Sequence, residues 1–205
     1  MELAWRGVAA ISRVAIWIGG ALLFVAAAIV SAEVFLRKGL GILFGSTFMF
    51  SGSDEISAYL FAVGTSLSMA HVLVTRGHVR IDALYGHFNQ RTRVLLDLLA
   101  LVVLAIFVAA LLERAWDVAS TSYVENIRSN TPLRIPLAWA QLPWFAGIAL
   151  FGIALALAIL RTLTALVRGD YVAAAAISSA ITQDEEIESE LEGLGLAKDS
   201  SDRRT

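Results

Sequence analysis

The chain has 205 residues, 58% of them hydrophobic and 17% charged, with a formal net charge of −2. A soluble domain is roughly 45–50% apolar and about a quarter charged, so this balance points to lipid, and the near-zero net charge leaves no basic footprint for nucleic acid. Without cysteine there is no disulfide, thiolate ligand or cysteine nucleophile.

The apolar residues fall into four blocks, each close to the ~20 residues a helix needs to cross a hydrocarbon core. The first, Val14–Ala32, is uncharged. Arg6 and Arg13 ahead of it, and Val30-Ser31-Ala32 at its end, imitate a secretory signal. The run is longer than a usual signal core, and Trp17 stands at its edge as an interface anchor would, so it reads as an uncleaved first span. Just beyond, Glu33 and Arg37 have the spacing of a helical ion pair. Gly39–Phe50 follows and is too apolar to lie in water. It is expected in the interface, dipping into the membrane, under a partner, or packed on the chain's own helices.

Asp54 and Glu55 open the second span, Ile56–Val74, where the helix dipole favours negative charge. This is the most polar span, with Ser57, Thr65, Ser66, Ser68 and His71. Ile81, Leu84, Tyr85 and Phe88 then follow the i, i+3, i+4, i+7 rule. They predict a short amphipathic helix on the inner surface, with Arg80, His87 and Arg91 toward headgroups. The third span, Val94–Leu112, holds one charge, Asp97, within pairing reach of Arg93. An outer loop runs from about Asp117 to Arg134, and Pro132, Pro136 and Pro143 shape the approach to the fourth span, Ile135–Leu160. Trp139 and Trp144 suit an aromatic belt there. Past Arg168 the chain turns alanine-rich and then acidic, from Asp184 to Glu192. That composition predicts a solvated, largely disordered tail, with helix persisting into part of the alanine run.

The expected fold is therefore an all-α membrane protein with four transmembrane helices and a short amphipathic interfacial helix between the second and third. Residues 1–13 form an N-terminal segment, 14–168 the transmembrane domain and 169–205 the tail. Arg6, Arg13, Arg76, Arg80, Arg91, Arg93, Arg161 and Arg168 fall on one side, against Arg37, Lys38, Arg114, Arg128 and Arg134 on the other. The positive-inside rule then places both termini in the cytoplasm.

Helices in lipid associate through small residues. Span two carries Ala58, Ala62, Ser66 and Ala70 on one stripe and Gly64 with Ser68 on another; span one has Gly19 and Gly20, and span four Gly152 and Ala156. These faces are expected to pack the four-helix unit, with surplus surface for docking another membrane protein. His71, His78 and His87 all belong to span two and the loop after it, so no opposing helix completes a bis-histidine haem, and no three or four ligands converge as zinc requires. Ionisable groups sit near span ends, away from the mid-membrane position of an ion relay. Phosphate loops, a nucleophile elbow and HExxH are absent. No catalytic, substrate-binding or metal residue is expected, and no cofactor.

Two stretches resemble a known family. Asp54-Glu55 opens a span containing Gly64, which closes on Arg76-Gly77-His78-Val79-Arg80-Ile81-Asp82; Thr131-Pro132-Leu133-Arg134-Ile135-Pro136-Leu137-Ala138-Trp139 approaches the fourth span. Both are similar to the DctQ-type small membrane subunit of TRAP (tripartite ATP-independent periplasmic) transporters. One departure is Ser51-Gly52-Ser53, where family members often carry a tryptophan. The resemblance implies a subunit of the bacterial inner membrane that scaffolds a large substrate- and sodium-carrying membrane subunit, served by a periplasmic solute-binding protein, for uptake of a small carboxylate. It directs attention to Asp54 and Glu55 as caps of span two and a partner contact. His78, Arg80 and Asp82 would shape the turn into the interfacial helix, and Arg128 and Arg134 would lie exposed where a binding protein docks. The competing readings are a free-standing four-helix protein, such as an assembly factor or small channel, and a haem-bearing anchor.

Overall fold

The computed structural model describes residues 2–40, 52–77 and 89–178. Four long helices carry the chain: α1 (Glu2–Phe35), α2 (Ser53–Val74), α3 (Gln90–Val124) and α4 (Ala138–Val167). A π-helical turn, Leu36–Leu40, extends α1, and a short α5 (Tyr171–Ser178) follows α4. Each long helix is long and apolar enough to cross a membrane. The expected helix over residues 81–88 lies outside the described residues, as does most of the apolar loop 39–50.

Helix α1 starts twelve residues before the expected span. Val8, Ser12, Ala15 and Gly19 are buried at helical spacing, so one inward stripe continues through the charged stretch while Arg6 and Arg13 ride on the exposed face. Helix α4 likewise runs on past Leu160, because Thr162 and Ala165 prolong its buried face. Pro143 lies inside α4 rather than in its first turn.

The helices form a slab in the order α1–α2–α4–α3. Helices α2 and α4 pack side by side in the middle, α1 lies on α2, and α3 lies on α4. Among the described residues no substantial contact joins α3 to α1 or α2. Glycine sets two of these seams. A Cβ on Gly19 would stand 2.6 Å from the Gly64 carbonyl oxygen, and one on Gly64 would stand 2.9 Å from the Gly19 carbonyl oxygen. A Cβ on Gly147 would stand 2.7 Å from the backbone of Ser66. On α2, Gly64 and Ser68 thus meet α1, while Ser66 meets α4. Hydroxyls within the spans are satisfied locally. Thr65 donates to the Phe61 carbonyl, Ser66 to Val63, Ser68 to Gly64 and Thr162 to Ala158. Such back-bonding hides a polar group that lipid cannot solvate.

Three helices end the same way. Ile127 N–H reaches the Ser122 carbonyl after α3, Gly77 N–H the Val72 carbonyl after α2, and Asp170 N–H the Ala165 carbonyl after α4. These are the six-to-one bonds of a Schellman motif, which puts one residue in the left-handed region. Asn126 (φ 50°), Arg76 (φ 59°) and Gly169 (φ 73°) occupy that position. The turn at Gly169 stops α4, so the alanine run does not continue it. Instead Asp170 accepts from the Ala173 N–H and starts α5, whose Ala174 is buried beside Val94 of α3 and Ala165 of α4. The first residues of the expected tail are therefore docked helix, while residues 179–205 lie outside the described residues. Gly169 has open space around its Cα, so Gly169→Ala is opposed by backbone conformation alone. A cost of about 1 kcal/mol is expected, measured as a lower thermal midpoint in detergent with faster amide exchange in α5.

Candidate functional site at the start of α2

Helix α2 begins at Ser53 after Gly52, and no side chain caps it. Asp54 and Glu55 stand in its first turn, where the helix dipole favours negative charge, and neither is the N-cap residue itself. Asp54 is exposed and lines a groove between α1 and α2 with Leu23, Ala27, Ser31, Ala58 and Phe61. Glu55 points the other way and is buried.

The Glu55 carboxylate accepts from the Tyr59 hydroxyl at 2.7 Å and from the Thr131 hydroxyl. Thr131 belongs to the α3–α4 connection. Its own hydroxyl is 2.7 Å from that of Ser129, whose oxygen also accepts from the Thr131 N–H at 3.1 Å. The connection is folded rather than slack: Ser129 N–H donates to the Ile135 carbonyl and Leu137 N–H to that of Ile127, each at 3.0 Å, around a bridge between Arg128 and Pro136. Leu133 lies where a side chain at residue 52 would project, so a Cβ on Gly52 would collide with it. At Gly52 the departure over Ser51-Gly52-Ser53 thus has a local reason, since the room a side chain there would fill is taken by Leu133.

A second tether lies beside the first. The Glu33 carboxylate, near the end of α1, accepts from Arg37 as its spacing predicts, and also from the Ser53 hydroxyl. Two buried or half-buried carboxylates thus hold the start of α2: one to α1, the other to the α3–α4 connection. Charge-assisted hydrogen bonds of this kind are stronger than neutral ones. The arrangement is a clamp, and no nucleophile–base pair is formed by it.

The structure therefore joins the two sequence stretches, with Glu55 of the first bonded to Thr131 of the second. Arg128 and Arg134 are both exposed on the clamped connection, Arg134 at φ 49°. His78, Arg80 and Asp82 lie outside the described residues. His71 faces α1, its Nδ1 3.4 Å from the Ser12 hydroxyl. Sequence reasoning missed Ser53, Tyr59, Ser129 and Thr131. Tyr59 carried a usable signal, four residues after Glu55 on one helix face.

The fold and this site define a multi-pass membrane protein whose polar side chains tie helices and a connection together. The family model for tripartite ATP-independent periplasmic transporters, DctQ component, matches residues 26–165, and the chain belongs to that family. It is a small membrane subunit of a TRAP transporter. The matched range includes the α2–α4 seam, the clamp and the two sequence stretches, while Gly19 of the α1–α2 seam lies just before it. Among curated proteins and among solved structures, none matches the chain.

Proposed function

We propose that this subunit is the fixed base of a two-subunit permease. A larger membrane subunit carries the solute and sodium sites and packs against the slab, and a periplasmic binding protein delivers a small carboxylate. The observation that carries this reading is the slab itself. In it α1 and α3 each rest mainly on one neighbour, and large apolar side chains from Leu3 to Phe35 and from Leu95 to Val124 face outward. A broad, thin body of this kind widens a membrane footprint and gives a moving partner something to push against.

The proposed orientation puts the Arg161 end in the cytoplasm and the Glu55 end in the periplasm, across the bacterial inner membrane. Arg6, Arg13, Arg76, Arg91, Arg93, Arg161 and Arg168 gather at the former, as the positive-inside rule favours. Arg128 and Arg134 then face the periplasm on a clamped connection, available to an acidic surface of the binding protein. Asp54, at the mouth of the α1–α2 groove, is available to a basic group of the large subunit. His78, Arg80 and Asp82 are assigned to the turn that leads into the interfacial helix.

Affinity purification of the chain from its native membranes in mild detergent, followed by mass spectrometry, tests the reading. Recovery of a large polytopic membrane protein near one-to-one is expected. Recovery of this chain alone, stable and monodisperse, would overturn the proposed packing of a larger subunit against the slab.

A further inference from the structure

At the Arg161 end, α1, α2, α4 and α5 border a half-open cavity of about 380 Å³, lined by Arg76, Arg161 and Trp5 together with the apolar Leu73, Ala173 and Ile177. Its size falls within the roughly 300–1,000 Å³ of small-ligand sites. Arg161 is held in place: its side chain is 19% exposed, its guanidinium stacks 4.7 Å over the Trp5 ring, and it donates to Glu2 at 3.0 Å. Glu2 is 76% exposed and so offsets that charge weakly.

Arg76 is the second and less expected element. It sits at the left-handed position of the motif that ends α2, with φ 59°, although Gly77 follows directly. Glycine takes that position without strain; arginine does so at a conformational cost. Strain retained at a lined cavity argues for a use of the side chain there. Leu73 and Val74 are the last residues of α2, so the cavity lies where the helices leave the hydrocarbon layer. Trp5 suits that depth.

We propose that this cavity holds the phosphate of an anionic phospholipid, received by Arg76 and Arg161, with Leu73, Ala173 and Ile177 against the glycerol and the first acyl carbons. Guanidinium groups match phosphate geometry, and a basic pocket between membrane helices suits an anionic headgroup. The apolar half of the lining selects a lipid over a free anion. All the lining residues belong to this chain, so the site does not depend on the large subunit.

The test uses the full-length chain in mild detergent, with any subunit that co-purifies. It is incubated with dioleoyl phosphatidylglycerol, dioleoyl phosphatidylcholine or inorganic phosphate, and read by native mass spectrometry and thermal midpoint. Phosphatidylglycerol is expected to stay bound and to raise the midpoint, while the other two do neither. Arg76→Gln and Arg161→Gln should each weaken retention about fivefold, and Arg168→Gln, exposed just past α4 and outside the cavity, should not. Arg76→Gly separates binding from folding. It removes the guanidinium while giving the motif its preferred residue, so the turn that ends α2 is kept while retention falls. Equal retention of the two lipids, or wild-type retention by Arg76→Gly and Arg161→Gln, would overturn the proposal. A midpoint shift from inorganic phosphate as large as that from phosphatidylglycerol would overturn the lipid in favour of a soluble anion.

Discussion

Gly147→Ala is expected to lower the thermal midpoint of the subunit in detergent, and Gly147→Val to do so further. The reason is the seam between the two central helices. An added Cβ would lie 2.7 Å from the Ser66 carbonyl carbon and 2.8 Å from the Leu67 nitrogen, both backbone atoms that cannot swing aside. Helices α2 and α4 would have to separate, loosening Ala70, Phe151, Ala154 and Leu155, all of which are buried. Overpacking of this kind costs about 1–3 kcal/mol, and in lipid the lost close contact is the main attraction between helices. Gly20→Ala is the control. It has open space and a helical site, so it should be neutral or stabilising by up to about 1 kcal/mol through helix propensity. Equal losses from the two alanine variants would show that the seam is not where this slab is held.

Glu55→Ala has the second large effect, and it is local. Without the carboxylate, the hydroxyls of Tyr59 and Thr131 lose their acceptor and the α3–α4 connection loses its tie to α2. Amide exchange at Ser129 and Leu137, whose N–H groups hold the connection folded, should quicken by about tenfold or more. Amides in the middle of α2 and α4 should be unaffected. Thr131→Val removes the other partner and should give the same pattern. The double variant should cost less than the sum of the two singles, because the Glu55–Thr131 contact is lost in both. Additive effects would mean that Glu55 and Thr131 hold the connection independently.

Much of this fold could be read from hydropathy, because a bilayer enforces long uninterrupted helices whose apolar runs stand out. The pair Glu33–Arg37 and the small-residue stripes were legible for the same reason, since helical spacing alone brings such residues to one face. What hydropathy could not give was non-local. Nothing in the spacing of Glu55 and Thr131 announces a bond across 76 positions. Nor does composition say which small residues of α2 meet α1 and which meet α4. The charges of Arg6 and Arg13 concealed the start of α1, since hydropathy weighs a whole segment while burial concerns one stripe of it. Composition suggests a helix persisting into the alanine run, whereas the turn at Gly169 ends α4 and the packing of Ala174 depends on α3 and α4 together.

The unequal lengths of the helices bear on how the subunit sits. At about 1.5 Å per residue, the 22 residues of α2 reach roughly 33 Å, close to the ~30 Å thickness of a hydrocarbon core. The 34 residues of α1 and 35 of α3 reach roughly 51–53 Å. Even a tilt of about 40°, the steep end of what membrane helices adopt, leaves roughly 39 Å to accommodate. Each must therefore emerge, α1 at the Arg161 end through the stretch carrying Arg6 and Arg13, and α3 at the Glu55 end through the stretch carrying Glu113, Arg114 and Asp117. These two helices form opposite edges of the slab, so the emerging charges stand at diagonal corners. Rocking the body either way drags one corner toward hydrocarbon, at about 2.5–3.5 kcal/mol for each charge submerged. The headgroup layers on both faces of the membrane thus oppose any tilting of the subunit.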